Sequence, residues 1–393
     1  MKRAPSVNGA APLLVQKAVM NVAQIRLTNF RNHKSSNIVF GPGFNVLLGS
    51  NGQGKTNVLE AISYLCLTKS FYASNDSTTL QIGEEFFEIN GTLFTQETIE
   101  NRVCVTYQRG TGEKQFSINR SRPETLASVI GRFPIVILSP ENNAITFGAP
   151  VERRKFLDLI LSQVSRVYFG DLLEYRRALK QRNKILTDMR MHHRGGEDLL
   201  DPWTEELVQY GSRIIHRRHQ FVNEFAAYVK RAYFDVVQNH EEPGADYTGL
   251  SNTPDDPAGI AEELAKNFAE RRREEIRRGT TMVGPHRDDL QLSINGISAQ
   301  KYASQGQHKT LLVALKVAEF FYLKERSEEA PILLLDDVFS ELDEHRSKHI
   351  LEMIGALGQT FITSTSETVF QNLISWDERN RKFYVEKGTC RQG

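Results

Sequence analysis

Short apolar or alternating segments predominate over the first 150 residues, which indicates β-strands. An apolar run at 44–48 ends at Gly49, and the spacing of apolar positions over 58–66 predicts an amphipathic helix directly after it. Three alternating segments bounded by glycine, asparagine or charged turns are typical of an antiparallel meander: 86–93, 102–107 and 115–118. Residues 135–138 predict a further buried strand.

The pattern becomes helical from about residue 150 to residue 278, with breaks at 194–196 and in the Pro/Asp/Gly-rich segment 242–259. Strand patterns return at 290–294, 332–335 and 360–363, separated by helices. We therefore predict an α/β fold with a mixed or parallel sheet and a meander, formed by residues 21–150 and 280–393. An α-helical arm at 151–279 is inserted into it. We predict that residues 1–20 form a mobile extension, because their apolar stretch is too short for the hydrophobic core of a secretory signal peptide. A targeting peptide is the alternative.

The composition excludes some classes of protein but does not indicate a binding partner. Hydrophobic residues make up 40% and charged residues 25% of the chain, which is ordinary globular usage, and the net charge is only +1. Cys66, Cys104 and Cys390 lie far apart, so a disulfide framework and a four-cysteine zinc site are excluded, and a reducing, cytoplasmic location is expected. No apolar run reaches the ~18 residues that a membrane-spanning helix requires, so we expect no membrane partner.

A glycine-rich loop matching G-x-x-x-x-G-K-[ST] lies between the predicted strand and helix. Its glycines let successive backbone N–H groups point at a triphosphate, and the start of the next helix faces the same charge. The lysine supplies a cation for the β- and γ-phosphates, and the threonine hydroxyl is placed to ligate Mg²⁺. The predicted phosphate-binding residues are Gly49, Ser50, Asn51, Gly52, Gln53, Gly54, Lys55 and Thr56.

The apolar segment 332–335 ends in two carboxylates, Asp336 and Asp337. Uniform apolarity is typical of a central parallel strand, and ligands bind at the carboxyl ends of such strands. Asp336 fits the Walker B role of holding Mg²⁺. Asp337 is the predicted catalytic residue that orients or deprotonates the attacking water, with Lys55 as its catalytic partner on the phosphates.

The two motifs lie about 280 residues apart, which is unlike compact GTPases and kinases. About 30 residues before Asp336, a loop with Ser304, Gly306 and Gln307 precedes an apolar helical pattern. Small polar residues at a helix N-terminus form an anion cradle. Because one chain needs only one cradle for a γ-phosphate, the second one favours two chains arranged head to tail. An ordinary helix N-cap is the alternative.

Several motifs together resemble the bacterial RecF family of ABC-type ATPases, which is related to SMC heads. In the ATPase part they are NFRNH at 29–33, NVLLGSNGQGKTNVLEAI at 45–62, SQGQHK at 304–309 and LLLDDVFSELD at 333–343. In and beside the arm they are ERRKFLD at 152–158, YRRALKQRN at 175–183 and GPHRDDL at 284–290. The resemblance extends over residues 21–388 and implies an ABC-type ATPase head with an inserted arm.

The resemblance also implies function. It implies an ATP-bound homodimer that binds DNA at gaps or junctions and promotes recombinase loading with RecR, with slow ATP hydrolysis ending the bound state. It implies that Ser304 and Gly306 reach the ATP of the partner, that Asp343 crosses the dimer seam, and that Arg31 contacts nucleotide phosphate. Tyr72 departs from the family, where arginine is common. Ser364 follows the third strand where ABC transporters have histidine.

The first long segment of the arm is locally basic. Residues 166–194 contain eight Arg or Lys against three Asp or Glu, and Arg176, Lys180 and Lys184 repeat along one helical face. This spacing suits a row of DNA phosphates, whereas a solvated face or internal ion pairs are the alternative. Two other classes of protein fit the sequence less well. A transporter subunit is disfavoured by the basic arm, and an SMC-like scaffold is disfavoured by the absence of sustained heptads.

Overall fold

The structure is a computed structural model that describes residues 20–95, 99–192, 196–237, 241–250, 256–341, 344–355, 357–371 and 373–393. The predicted extension at 1–20 therefore lies almost wholly outside the described residues. The strands are β1 (Asn21–Phe30), β2 (His33–Val39), β3 (Phe44–Leu48), β4 (Phe86–Phe94), β5 (Glu100–Gln108), β6 (Glu113–Ile118), β7 (Ile135–Leu138), β8 (Pro243–Thr248), β9 (Asp289–Ile294), β10 (Ile297–Ser298), β11 (Ile332–Asp336), β12 (Thr360–Ser364), β13 (Arg381–Glu386) and β14 (Thr389–Gln392). The helices are α1 (Lys55–Leu67), α2 (Ala144–Phe147), α3 (Pro150–Val164), α4 (Arg166–His192), α5 (Asp201–Val237), α6 (Pro257–Arg278), α7 (Ala299–Tyr302), α8 (Gln305–Arg326) and α9 (Glu344–Ile354).

The central sheet has the strand order β14-β13-β3-β12-β11-β7. Its strands run parallel except for β14, which pairs antiparallel with β13. Every residue of β11 and β12 is buried, because helices or the second sheet cover both faces. The sheet therefore places the carboxyl ends of β3 and β11 at one edge, with β12 between them.

The predicted meander is confirmed as an antiparallel sheet with the order β2-β1-β4-β5-β6. It packs with the central sheet around α1, and apolar residues of both sheets and α1 form one core cluster. Because α1 lies between two sheets, it is buried almost all round and not on a single face as its spacing predicts. The helix that follows the glycine-rich loop is thus held on all sides.

The arm region is confirmed as mainly helical, with α3, α4, α5 and α6. Its apolar residues form a second core cluster with α8 and the opposite face of the central sheet. In the part of the chain that the structure describes, no helix has the length and apolarity to cross a bilayer.

The segment 242–259 interrupts the helices as predicted, between α5 and α6, and it also contains β8, whose pairing with β9 stabilises a sequence with weak strand propensity. One expectation is wrong. Residues 290–294 were expected to belong to the central sheet, but as part of β9 they pair with β8 and β10 in a separate sheet. Since this sheet joins residues on both sides of position 280, the division into domains stays a prediction.

Candidate nucleotide-binding site

The glycine-rich loop joins β3 to α1 and has an open concave side. Gly52 has φ +78° and Gly54 has φ +110°, values that side-chain-bearing residues rarely adopt. A Cβ at Gly54 would lie 2.4 Å from Asn32 Oδ1, whereas a Cβ at Gly52 would meet no atom within 4 Å. The loop is therefore packed against the protein at Gly54 and open at Gly52, where a phosphate can approach the backbone.

A hairpin turn of the other sheet holds the loop from behind. Asn32 Nδ2 donates to Gln53 O (2.9 Å), and the Asn57 amide donates to Asn32 Oδ1 (2.7 Å). His33 Nε2 lies 3.0 Å from Gly54 O, and burial lowers the pKa of His33, so the neutral imidazole is favoured. These contacts explain the local role of the NFRNH motif, which the spacing of residues alone did not indicate.

The turn between β13 and β14 supports the same loop. Gly388 N donates to Gln53 O (3.0 Å), and Lys387 N donates to Gln53 Oε1 (2.8 Å). Ser36 Oγ donates to Gly388 O (3.0 Å), which links this turn to β2. Sequence reasoning missed these contacts because they join residues more than 300 positions apart. Gln53 thus holds the loop to the turn through both its backbone and its side chain.

Lys55 is nearly buried, and its ammonium donates to Gly49 O (2.7 Å) and Ser50 O (2.9 Å) of its own loop. Burial lowers the pKa of Lys55, and the charges of Asp337 and Asp336 partly oppose that shift. The side chain is thus held at the loop by hydrogen bonds to carbonyl groups. Phosphate oxygens are stronger, charged acceptors that can replace those carbonyls.

The two motifs meet at one carboxylate. Thr56 Oγ1 and Thr363 Oγ1 donate to Asp336 Oδ1 at 2.8 and 2.7 Å. Burial raises the pKa of Asp336, and the two hydroxyl donors partly oppose that shift. Asp337 follows with φ +52°, and its backbone N–H donates to Thr363 Oγ1 (2.8 Å). The threonine of β12 therefore holds the carboxylate of Asp336 and the backbone of Asp337.

This donor set fits Mg²⁺ together with a nucleotide. Mg²⁺ is bound through one or two carboxylates plus substrate phosphates and waters, and Thr56 and Asp336 supply oxygen atoms at one point. Among the described residues, no group of three or more His, Cys, Asp or Glu could hold a metal ion by itself. Phosphate oxygens and waters are the ligands that would complete the shell of a Mg²⁺ ion held at this point.

Glu141 is a neighbour of this site that sequence reasoning missed. It follows β7, which is next to β11 in the sheet. Burial raises the pKa of Glu141 first, and the charges of Asp336, Glu152 and Glu60 raise it further. Its position just beyond the end of a predicted parallel strand was the available signal.

Arg31 forms a two-point ion pair with buried Glu60, with both N–O distances at 2.8 Å. Its third contact is to Thr78 O (2.9 Å). The ring of Tyr72 lies with its centroid 5.9 Å from the Arg31 guanidinium carbon. The guanidinium is thus occupied within the protein, and a phosphate contact by Arg31 stays a prediction.

The Ser304 loop is the exposed start of α8. Ser304 and Gln307 form a capping box: Gln307 N donates to Ser304 Oγ (3.2 Å), and Ser304 N donates to Gln307 Oε1 (2.8 Å). The N-cap alternative therefore describes the local structure, and an N-cap remains compatible with anion binding. Gly306 is half-buried beside it. The predicted seam residue Asp343 lies outside the described residues.

Arg176, Lys180 and Lys184 are all exposed along α4, as their spacing predicts. Arg176 also donates to Asp158 Oδ2 (3.0 Å), so one member of the row has an internal partner. Arg182, which contributes to the basic count of this segment, is buried against Glu275. The charge that α4 offers to a partner is therefore smaller than the count suggests, and DNA contact by the row stays a prediction.

The sheet order, the phosphate-binding loop and the Walker B carboxylates define an ABC-type ATPase head. A family model described as the RecF/RecN/SMC N-terminal domain matches residues 21–391. The DNA replication and repair protein RecF of Chloroherpeton thalassium is 43% identical over 356 residues, covering 89% of this chain and 96% of the relative. RecF of Salinibacter ruber is 41% identical over 352 residues, covering 88% and 85%.

The comparison with solved structures points to the same family. One described as the recombination mediator protein RecF with ATPrS in the RecFOR pathway is 32% identical, with a TM-score of 0.87 and coverage of 96% of this chain and 99% of that one. An SMC head domain from Pyrococcus furiosus shares the fold alone, at 15% identity and a TM-score of 0.55, over 95% and 96% of the two chains. The chain belongs to the RecF family.

Proposed function

We propose that this chain is an ATP-dependent DNA-binding protein of recombinational repair and replication-fork maintenance. ATP binding brings two copies together, the dimer binds DNA at gaps or junctions, and with RecR it promotes recombinase loading. Slow ATP hydrolysis then resets it. The observation that carries the proposal is the hydrogen bond of 2.8 Å that joins Thr56 to Asp336, because it assembles both halves of a nucleotide site.

Within one copy, the loop and Lys55 bind the phosphates, and Thr56 with Asp336 holds Mg²⁺. The metal, when bound, neutralises charge on the β- and γ-phosphates. Thr363 orients Asp336 through its hydroxyl and Asp337 through the backbone. Asp337 then orients the attacking water. Because β12 ends in Ser364, where ABC transporters have histidine, we expect hydrolysis to be slow.

The dimer depends on the exposed start of α8. The half-buried or exposed residues Ser304, Gly306 and Gln307 carry backbone N–H groups at a helix N-terminus, where an anion is favoured. No hydrogen bond joins Ser304 to residues 49–56 within the described ranges. A nucleotide held by the loop of one copy and also touched by Ser304 of a second copy binds the closed dimer more tightly than it binds one copy alone. Such differential binding is what a ligand switch requires.

DNA binding and the RecR partnership rest on family membership and on α4. The relatives bear the name DNA replication and repair protein, and a similar structure is described as part of the RecFOR pathway. The exposed row of Arg176, Lys180 and Lys184 supports backbone contacts, which carry no sequence specificity by themselves.

Three variants test the switch by light scattering with and without ATP. Lys55→Met should abolish ATP binding, and Ser304→Arg should retain ATP binding but remain monomeric. Ser304→Asp keeps a capping acceptor and sets a negative charge against the partner's phosphate, so it should also remain monomeric. Ser121→Arg, in an exposed turn of the meander, is the control and should dimerise normally. ATP-dependent dimers of both Ser304 variants would exclude the trans arrangement.

Hydrolysis and DNA binding are measured separately. Asp337→Asn should form the ATP-dependent dimer but turn over more slowly, and a turnover equal to that of the unmodified chain would remove Asp337 as the base. DNA affinity should require ATP and fall with salt, with a slope that counts the phosphate contacts. Gapped, duplex and single-stranded ligands show which form is preferred. Equal affinity with and without ATP would contradict the proposal.

A further inference from the structure

A deep groove lies between the arm and the ATPase part, away from the nucleotide site. Its volume is about 840 Å³, and its walls are α3, α4, α5 and the segment that follows α1. None of its lining residues belongs to the glycine-rich loop or to the Walker B pair. The groove is therefore a separate cavity that the proposed ATPase cycle does not use directly.

The interior of the groove is apolar. Side chains of leucine, isoleucine, valine and phenylalanine line it from each wall, including Phe71, Leu159 and Leu172. At the mouth, Leu126, Val151 and Leu173 are 38%, 43% and 42% exposed. An apolar surface that continues from the mouth into a cavity is typical of a binding groove.

The charges along the groove are almost all positive. Six of its seven charged lining residues are cations: Lys69, Arg154, Lys155, Arg176, Arg218 and Lys316. The carboxylate of Asp158 is shared by Arg218 (2.7 Å) and Arg176 (3.0 Å). Lys316 pairs with Glu319 and Lys155 with Glu152, each at 2.9 Å. Among the described residues, the lining cations without an ion pair are therefore Lys69 and Arg154, which give the groove its positive excess.

Lys69 shows the imbalance most clearly. In the part of the chain that the structure describes, its ammonium has neither a hydrogen bond nor an ion pair. The Lys69 side chain is exposed at the mouth, but the groove walls beside it exclude part of the solvent and lower its pKa. Repulsion from Arg176, Lys114 and Lys155 lowers this pKa further, and the Asp158 carboxylate partly opposes the shift. The Lys155 side chain is 64% exposed and pairs with Glu152 one helical turn away, so it can turn toward a ligand. An anion at the mouth would relieve this repulsion.

These features select the class of ligand. Duplex DNA would engage the cations through its phosphates, but its bases are paired and stacked inside the double helix and would not fill the cavity. A peptide with acidic residues beside leucine or phenylalanine satisfies both surfaces, because apolar anchors fill pockets while the charges at the rim fix orientation. We propose that this groove docks an acidic, amphipathic segment of a partner protein. The proposal does not depend on ATP hydrolysis or on dimerisation.

The test uses the full chain and a fluorescein-labelled synthetic peptide with leucine and phenylalanine on one helical face and acids on the other. Fluorescence anisotropy should show saturable binding, and a peptide with lysine at each acidic position should not bind. Lys69→Glu, Lys155→Glu and Leu173→Asp should each weaken binding at least ~10-fold, which corresponds to ~1.4 kcal/mol. Lys266→Glu makes the same charge change on α6 outside the groove and should bind as the unmodified chain does.

The three groove residues are exposed at the mouth, so the variants should keep the circular dichroism spectrum and unfolding temperature of the unmodified chain. A labelled duplex oligonucleotide is titrated in parallel. Peptide binding that none of the three groove variants weakens overturns the proposal, as does the failure of the peptide to bind at all. If Lys69→Glu weakens the oligonucleotide and leaves the peptide unaffected, the groove belongs to DNA and the proposal is also overturned.

Discussion

Replacing Arg182 by methionine tests how the arm is held together. The guanidinium is almost fully buried and donates to Glu275 Oε2 (2.7 Å) on α6, Thr204 Oγ1 (2.9 Å) on α5 and Thr281 Oγ1 (3.0 Å) after α6. It also lies 4.9 Å above the ring of Phe268. One side chain on α4 therefore connects three segments of the arm.

The expected loss follows from the burial of both charges. Glu275 has no solvent exposure. In Arg182→Met, the hydrogen-bond donor that remains to its carboxylate within the described residues is the backbone N–H of Met282 (2.6 Å), which carries no compensating charge. Removing one member of a buried pair costs about 3–5 kcal/mol, because the other charge stays buried without compensation. Urea unfolding followed by far-UV circular dichroism should show a loss of this size.

A second variant separates the unpaired charge from lost packing. Arg182→Met with Glu275→Gln removes both charges but keeps an acceptor for Met282 N, so it should recover at least about half of the loss. Arg177→Met, on the exposed side of α4, should leave the free energy of unfolding nearly unchanged. A loss below about 1 kcal/mol in Arg182→Met, or a double variant as unstable as the single one, would refute the reasoning.

Three further outcomes can be measured. Gly54→Ala should lose ATP binding in isothermal titration calorimetry, because the added methyl group meets Asn32. Gly52→Ala is strained only by its positive φ, so it should fold and bind ATP, but more weakly than the unmodified chain. Equal losses of ATP affinity in the two variants would contradict this. Thr363→Val should cost about 1–3 kcal/mol in unfolding and slow hydrolysis; wild-type turnover would refute it. Burial raises the pKa of Asp288 to about 6, so the free energy of unfolding should fall by about 2 kcal/mol as pH rises from 4 to 6. Asp288→Asn should abolish that fall, and parallel pH curves of the two proteins would exclude it.

The nucleotide motifs were predictable because each is local. A buried strand, a turn that needs glycine and a helix start at Lys55 occupy one continuous segment, and the strand before Asp336 is marked by its uniform apolarity. The strands of the central sheet that carry them are confirmed within a residue. The spacing of apolar residues could not reveal that α1 is enclosed by a sheet on each side. That spacing shows where apolar residues lie on the helix, but it does not show how many neighbouring elements pack against them.

The sequence by itself determined the class of the protein, the chemistry of its phosphate site and the mainly helical arm. The tertiary structure alone decided which distant residues serve that site: Gln53 meets Gly388, Thr363 orients Asp336, and Asn32 supports Gly54. It also decided that β8 is a strand and that Arg182 is structural. The physical reason is the same in each case. Hydrogen bonds between residues far apart in the chain depend on how sheets and helices pack, and local spacing carries no information about that packing.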